Sequence, residues 1–352
     1  MASVKLFWII SLILIHQTFL ANAYCTKSLV PALYVFGDSS VDAGNNNNLN
    51  TPAKANTFPH GIDFNNCSTG RFSNGKTFAD IVAIRLGLPM PPPYLGVSET
   101  ERYQIATGIN YASASSGILN STGDGEYLSL DKQIEYFTST VEHDLPRILS
   151  NKIKLRRYLS KSIYLLSIGA NDYTLGYLRN VMGTNNNVNP EEYASFLLKQ
   201  FTSHIKKIYD LGARKFVIVS IGPVGCIPGL IIRTLHSQYC NEDINQKIKP
   251  YSDKLHGTLQ ELQTQLPSSK FITMDTYNLY KVIRNSPEKF GITNVFDSCI
   301  GQGEKICENR KLYYFYDPAH TTEAVNEIYA KECFSGNQTC FPFNIKQLIH
   351  SH

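Results

Sequence analysis

The stretch Leu33-Tyr34-Val35-Phe36-Gly37-Asp38-Ser39 indicates both the fold class and a candidate reactive residue. Its first four residues are apolar, β-branched or aromatic, which is typical of a short buried strand. Gly37 and Asp38 end that strand, so Ser39 lies in the turn after it. In open α/β sheets ligands bind at the carboxyl ends of the strands, where a serine on a tight turn can expose its hydroxyl to a cleft. Asp38 and Ser39 are also ordinary turn residues, so the stretch alone leaves both interpretations open.

Apolar runs of strand length alternate with helical patterns along the rest of the chain. We expect strands at 109–112, 163–168, 216–221 and 271–274. We expect helices at 76–86, at 152–161, after the Asn189-Pro190 cap, around Pro250 with a kink or a start there, and at 323–332. Crossovers of this length allow parallel pairing, so the pattern predicts an α/β fold of three α/β/α layers with a doubly wound, mainly parallel sheet. The helix after Asn189 should bury one apolar face, formed by Tyr193, Phe196, Leu197, Phe201, Ile205 and Ile208.

Residues 1–23 have the pattern of a secretory signal peptide. Lys5 provides the positive charge, an apolar run follows up to Ile15, and Ala21-Asn22-Ala23 is a small-x-small cleavage site. The apolar run is shorter than the roughly 20 residues that a spanning helix needs. We therefore expect a secreted, extracellular protein without stable membrane insertion, with residues 24–352 forming a single domain.

Composition excludes little else. The chain has 352 residues, 43% of them hydrophobic, which suffices for a large α/β core. Charged residues make up 18% and the formal net charge is only +4, so nothing indicates a nucleic-acid partner. The oligomeric state cannot be read from these numbers.

Eight cysteines follow the signal segment, an even number that favours disulfides in a secreted chain. Zinc is the rival interpretation, but the chain has no Cys-x-x-Cys pair, and we expect no metal. Among the 105 possible pairings, sequence proximity favours Cys226 with Cys240, Cys299 with Cys307 and Cys333 with Cys340, which leaves Cys25 with Cys67. Sequons at Asn66, Asn120 and Asn337 predict glycosylation sites on the same secretory route.

A serine nucleophile needs a base, and the base needs an acid that orients it. Among nine histidines, His320 differs because Asp317-Pro318-Ala319-His320 places a carboxylate three residues before the imidazole. One turn would let Asp317 hold one ring nitrogen while the other faces away. His60, in a loop, remains possible. Asp-x-x-His is a common pattern, and by itself it carries little weight.

The transition state of acyl transfer is an oxyanion, which needs fixed N–H donors. Asn171 follows the predicted strand at 163–168, on the same sheet edge as Ser39. The run of small residues 113–117 could offer a backbone N–H, and Ser115 is our candidate within it. An asparagine that bonds its own turn and plain close packing of small residues are the alternative interpretations.

Together these pieces resemble the plant GDSL esterase/lipases of the SGNH-hydrolase superfamily over nearly the whole chain after residue 23. The resemblance rests on six blocks in order, namely Phe36-Gly37-Asp38-Ser39-Ser40-Val41-Asp42-Ala43-Gly44-Asn45-Asn46, Gly70-Arg71-Phe72-Ser73-Asn74-Gly75, Gly108-Ile109-Asn110-Tyr111-Ala112-Ser113, Gly169-Ala170-Asn171-Asp172, Gly222-Pro223-Val224-Gly225-Cys226-Ile227-Pro228 and Tyr316-Asp317-Pro318-Ala319-His320. It implies an SGNH-hydrolase, flavodoxin-like fold with Ser39 as nucleophile, His320 as general base and then acid, and Asp317 as its orienting partner. Asn171 and a backbone N–H near Ser115 would complete the oxyanion hole.

Three positions depart from the family pattern. Ser40 stands where leucine is usual, Ser113-Ala114-Ser115-Ser116-Gly117 replaces a glycine-rich block, and Thr321 replaces a proline. A serine can serve at position 115 if its dihedral angles allow. None of these changes removes a catalytic group.

We therefore predict a serine esterase or lipase that hydrolyses carboxylic esters without a cofactor, acting on a small-molecule or lipid ester. An acyltransferase using the same residues is one alternative. A catalytically silent binding or specifier protein on this fold is the other.

Overall fold

The structure is a computed structural model that describes residues 28–179, 188–234, 239–301 and 305–351. Its strands, in chain order, are β1 (Leu33–Gly37), β2 (Ile163–Ser167), β3 (Lys215–Val219), β4 (Lys270–Met274), β5 (Asn294–Ser298), β6 (Tyr313–Phe315) and β7 (Cys340–Phe341). The main sheet has the order β1-β2-β3-β4-β7, parallel except for β7. Strands β5 and β6 form a separate parallel pair.

The segment 107–113 extends the main sheet beyond β1. Leu33 donates to the carbonyl of Thr107, and Ser113 donates to the carbonyl of Gly37. Only Asn110 within the expected strand 109–112 is bridged to β1 by the strand criterion. Counting this segment as the second strand gives the spatial order 2-1-3-4-5 of a flavodoxin-like sheet, whose switch point lies between β1 and β2.

Two apolar cores cover the two faces of the sheet, because alternate residues of a strand face opposite sides. In β1, Tyr34 and Phe36 belong to one core, which is completed by the helices at Leu130–Ser139, Pro190–Asp210 and Glu242–Gln265. Leu33 and Val35 belong to the other, completed by the helices at Phe78–Arg85, Thr276–Asn285, Glu323–Ser335 and Ile345–His350. The predicted three-layer, doubly wound α/β fold is thus confirmed.

Short helical segments complete the described chain. They lie at Glu99–Arg102, Leu145–Ile148, Lys152–Lys161 and Pro228–Arg233, with π-helical turns at Thr140–Asp144 and Asp172–Tyr177. Turns of 3-10 type lie at Asn45–Asn48, Tyr94–Gly96, Val224–Cys226, Pro287–Phe290 and Arg310–Leu312.

Some sequence expectations were wrong. The helix Glu242–Gln265 has Asn241 as its N-cap and Pro250 in its interior, so the expected alternative of a start at that proline is wrong, and a kink there stays a prediction. Phe196 is 46% exposed, so it does not belong to the inner face of its helix. Strands β5 to β7 lie after the last strand that we predicted.

The cysteines agree with the proximity rule in part. The predicted pairs Cys226–Cys240 and Cys299–Cys307 are disulfides. The Sγ atoms of Cys333 and Cys340 lie 2.8 Å apart in the core without a bond between them. Cys25, the proposed partner of the exposed Cys67, lies outside the described residues.

Candidate active site

Ser39 lies on a tight turn at the carboxyl end of β1. Gly37 permits this turn, since a Cβ at that position would come within 2.3 Å of the carbonyl oxygen of Ser167. Asp38 donates its N–H to that same carbonyl, and its own carbonyl accepts from Val41. The backbone is therefore fixed on both sides of Ser39, whose side chain is half-buried.

Asp38 closes the turn from inside. Its carboxylate accepts hydrogen bonds from the backbone N–H and the hydroxyl of Ser40, at 2.9 and 2.7 Å. The Ser40 hydroxyl also lies 2.9 Å from that of Ser167 on β2. The serine that replaces the usual leucine at position 40 thus adds a polar link between the ends of the two central strands.

Asp317 and His320 approach from the small sheet, directly after β6. The Oδ1 atom of Asp317 accepts the backbone N–H groups of Ala319 and His320 at 2.7 and 2.8 Å, which forms the predicted turn. Nδ1 of His320 lies 2.8 Å from Oδ2 of Asp317. Its Nε2 lies 2.7 Å from the Ser39 hydroxyl. The fold thus brings Ser39 into contact with His320, which lies 281 positions later in the sequence.

The two titratable groups shift each other's pKa. Burial alone would raise the pKa of Asp317, but the charge of His320 and hydrogen bonds from His320, His60 and Ala319 hold it well below the usual range. For His320 burial acts in the opposite direction and by itself would lower the pKa. The charge and hydrogen bond of Asp317, together with Asp38, outweigh burial and raise it. The pair therefore favours a carboxylate with an imidazole of increased basicity.

The candidate oxyanion donors belong to the turn after β2 and to the segment that follows residues 107–113. One N–H of the Asn171 amide donates to the carbonyl of Ser116 at 2.9 Å, and a primary amide carries a second N–H. Ser115 has φ = 70°, a left-handed conformation that glycine adopts more readily. Among the described residues no acceptor is assigned to the Ser115 backbone N–H. The oxyanion roles of Asn171 and Ser115 stay predictions.

Two buried carboxylates organise these two segments. Asp172 accepts from the N–H groups of Ile118 and Leu119 and from the hydroxyl of Thr122 at 2.6 to 3.0 Å. Asp42 accepts from Gly44, Asn45 and Ala114. Burial raises the pKa of each to about 6, although these hydrogen bonds oppose the rise. Through these hydrogen bonds, Asp42 connects the segment around Ser115 to the turn after β1, and Asp172 connects it to the turn after β2.

Two contacts of the Asp317–His320 pair were not expected from the sequence. The ring of Phe72 lies 4.9 Å from that of His320, centroid to centroid. Nε2 of His60 lies 3.4 Å from Oδ2 of Asp317. Both residues belong to the loop 57–75, whose block Gly70–Gly75 supported the family resemblance without indicating a role for Phe72. No local pattern reveals a contact between positions 257 residues apart.

An apolar cavity of about 180 Å³ adjoins the site on the side of His320. It runs between the ends of β2 and β3 to the small sheet, and its lining includes Phe72, Ile168, Val219, Ile221, Tyr280 and Phe315. Its polar lining groups bond to one another or to backbone; Thr321, for example, donates to Asn326 at 2.7 Å. A hydrocarbon group would leave none of these partners unpaired.

Within the described ranges, one group of side chains lies close enough to ligate a metal ion: Cys226, Cys240 and Glu242. The two sulfur atoms are already joined in a disulfide, so the group does not fit a metal centre.

The chain was compared with known proteins. The family model described as GDSL-like Lipase/Acylhydrolase matches residues 33–333. This chain belongs to that family. A GDSL esterase/lipase of Arabidopsis thaliana is 38% identical over 335 residues, covering 91% of this chain and 86% of its own. GDSL esterase/lipase 7 of the same plant is 36% identical over 359 residues, covering 97% and 98%.

As a GDSL family member, the protein is a carboxylic ester hydrolase. Among solved structures, a lipase from a goat rumen metagenome covers 86% of this chain and 95% of its own at 11% identity, with a TM-score of 0.38, which is too low to support an inference. In the part of the chain that the structure describes, none of the helices combines the length and the apolar character needed to cross a bilayer.

Proposed function

We propose that this GDSL hydrolase is a secreted serine esterase that acts through an acyl-enzyme on Ser39. The observation that carries the proposal is the continuous contact from the Ser39 hydroxyl through His320 to Asp317, with distances of 2.7 and 2.8 Å. Such a chain of contacts is what activates a hydroxyl near neutral pH. The signal-like segment 1–23 and the exposed sequons at Asn66, Asn120 and Asn337 support secretion and glycosylation of the domain 24–352.

The chemistry follows from the two nitrogens of His320. The Ser39 oxygen attacks the ester carbonyl carbon while Nε2 of His320 takes the hydroxyl proton, and Asp317 stabilises the imidazolium at Nδ1. The carbonyl oxygen becomes an oxyanion that accepts from the Asn171 amide and from a backbone N–H near Ser115. When the intermediate collapses, the alcohol leaves with the proton from Nε2. Water then attacks the acyl-enzyme with His320 again as base and releases the acid.

The cavity supports an ester with an apolar acyl or alcohol group. His320 is one of the residues that line the cavity. Because the polar groups of the lining already have hydrogen-bond partners within the protein, the cavity would bind a ligand mainly by burying hydrocarbon. Small-molecule esters and lipid esters both contain such groups.

The test is a panel of esters of increasing chain length, supplied to the secreted protein with and without an alcohol acceptor, and analysed by mass spectrometry. We expect free acid as the product and labelling of Ser39 by a fluorophosphonate probe. Ser39→Ala should remain folded and lose both turnover and labelling. Labelling that persists in Ser39→Ala would refute the assignment, and transfer to the acceptor in preference to water would favour an acyltransferase.

A further inference from the structure

A second histidine contacts the carboxylate that orients His320. Nε2 of His60 lies 3.4 Å from Oδ2 of Asp317, and the two side chains are only 17% and 11% exposed. The His60 ring meets the ring of Tyr316 edge-on at 5.8 Å and that of Phe72 at 6.1 Å. His60 therefore packs against the segment that carries Asp317 and His320, with one of its ring nitrogens next to the Asp317 carboxylate.

The backbone around His60 is fixed at several points. Its N–H donates to Thr57 and its carbonyl accepts from the Ser68 hydroxyl at 2.7 Å. The next residue, Gly61, has φ = 75°, and a Cβ there would come within 1.9 Å of the carbonyl oxygen of Cys67. Asp63, three residues after His60, forms an ion pair with two hydrogen bonds to Arg310, which precedes β6. The loop is thus fastened to the segment that carries Asp317.

Nδ1 of His320 lies 2.9 Å from Oδ1 and 2.8 Å from Oδ2 of Asp317, but the other partners of the two oxygens differ. Oδ1 accepts the backbone N–H groups of Ala319 and His320, which fix the turn. Oδ2 faces the two imidazoles, with His320 at 2.8 Å and His60 at 3.4 Å. Asp317 must be ionised to orient His320, and an N–H group that donates to Oδ2 would stabilise this ionised form.

We propose that His60 is a positioning residue, whose Nε2–H donates to Oδ2 of Asp317 and holds that carboxylate in the plane in which it orients His320. The inference rests on the proposed function, because it assigns His60 a part in the same reaction. His60 is not itself a lining residue of the cavity, and its side-chain hydrogen bond within the site is the one to Asp317.

The contact predicts the direction of a pH effect. A donor on Oδ2 takes up part of the carboxylate charge, and without it more of that charge acts on His320, whose pKa would rise. The other charged groups near this pair are Asp38 at the end of β1 and the Arg310–Asp63 ion pair beyond Tyr316, and none of them donates to Oδ2. Removing His60 should therefore move the acid limb of kcat/KM to higher pH.

The experiment compares His60→Leu, which keeps bulk but loses the donor, with His60→Gln, whose amide N–H has a similar reach. His143→Leu, at an exposed histidine, is the matched control. We expect His60→Leu to lower kcat about tenfold at unchanged KM, the size of one charge-assisted hydrogen bond. His60→Gln should recover most of that loss, and His143→Leu should match the wild type. All are measured from pH 5 to 9 per site titrated with a fluorophosphonate, alongside melting temperatures.

An NMR titration of the His320 ring, in wild type and in His60→Leu, tests the inference without turnover. A higher His320 pKa in His60→Leu supports it. Unchanged His320 titration would overturn it, as would equal losses of kcat and melting temperature in His60→Leu and His60→Gln, which indicate packing alone. If wild type neither hydrolyses esters nor labels at Ser39, the proposed function fails; if it does both and the His60 variants match it, only this inference fails.

Discussion

The two arms of the candidate site are held in different ways. The nucleophile arm, residues 37–42, continues a fully buried central strand, and Gly37 exchanges two 2.9 Å hydrogen bonds with the side chain of Gln133. The histidine arm, residues 316–321, follows a three-residue strand of the small sheet. Backbone bonds from Tyr316 to His320 and from Gly229 to Pro318 shape it, and the loop 57–75 packs on it through side chains. Changes around the nucleophile arm should therefore reduce stability, and changes in the histidine arm should reduce activity with little loss of stability.

The largest effect that sharpens this contrast is expected for Asp317→Asn. An amide can reverse the preferred tautomer of His320, and the corresponding change in a serine-protease triad lowers kcat about 10⁴-fold. Because the backbone N–H groups of Ala319 and His320 can still bond the amide oxygen, the melting temperature should change little. Measuring kcat per titrated site checks the expected loss of activity, and the melting temperature checks the expected unchanged stability. A kcat within tenfold of wild type would contradict the orienting role.

Asn171→Ala should give the next largest effect, since the amide is a donor for the oxyanion. Removing one such donor typically lowers kcat about 100- to 1,000-fold, with KM nearly unchanged. The bond from Asn171 to Ser116 is lost as well, so stability should also fall, as expected on the nucleophile side. Labelling of Ser39 should continue more slowly because the triad survives. Normal kcat per folded molecule with a lowered melting point would instead make Asn171 a scaffold residue.

Asp172→Ala tests the stability half of the contrast. The substitution leaves three buried donors, from Ile118, Leu119 and Thr122, without their acceptor. We expect a loss of about 3 kcal/mol in the free energy of unfolding. Asp124→Asn, which breaks an exposed ion pair with Arg179, is the control and should cost under about 1 kcal/mol. Equal midpoints in urea for the two variants would show that buried carboxylates do not hold this side together.

The pH dependence should separate activity from stability at the histidine arm. His320 must be neutral to accept the serine proton, and its pKa is raised, so kcat/KM should fall as the pH drops through a value above the ordinary 6.5. The stability contribution has the opposite sense: it is fully present below the unfolded pKa and is lost as the pH rises through the folded one. A kinetic pKa below 6.5, with chemistry rate-limiting, would contradict the influence of Asp317.

The smallest effect is expected for Arg310→Gln, which unfastens the loop 57–75 from the histidine arm. The ion pair with Asp63 is partly exposed, so the free energy of unfolding should fall by less than about 1 kcal/mol. Activity should fall a few-fold, because His60 and Phe72 pack on the Asp317–His320 pair. Hydrogen exchange of residues 57–75 checks the loosening directly, and unchanged exchange would show that the ion pair does not anchor the loop.

Much of the central sheet could be predicted from sequence. The parallel strands β1 to β4 are mostly apolar runs separated by helical crossovers, and the carboxyl ends of such strands meet at one edge of the sheet. The Asp-x-x-His spacing also sufficed for the Asp317 turn, since the contacts involved are local. These features need only the periodicity and direction of the chain.

The remaining features depend on tertiary contacts. Strand β7 has two residues and β6 three, too few to show periodicity. Phe196 fits the helical spacing yet is exposed, because the helix presents a wider apolar stripe than its neighbours cover. The approach of His60 to Asp317 is set by the packing of a long loop, which no spacing rule describes.

The distance in sequence between Ser39 and His320 has a consequence for biosynthesis. Extending the chain by the 281 positions from Ser39 to His320 takes roughly 15 to 60 s at ordinary elongation rates of about 5 to 20 residues per second. During that time the nascent chain carries the serine without a base, and chains released early stay in the same condition. On the proposed mechanism, hydrolysis can therefore begin only after nearly the whole polypeptide has been made and the segment carrying His320 has packed against β1.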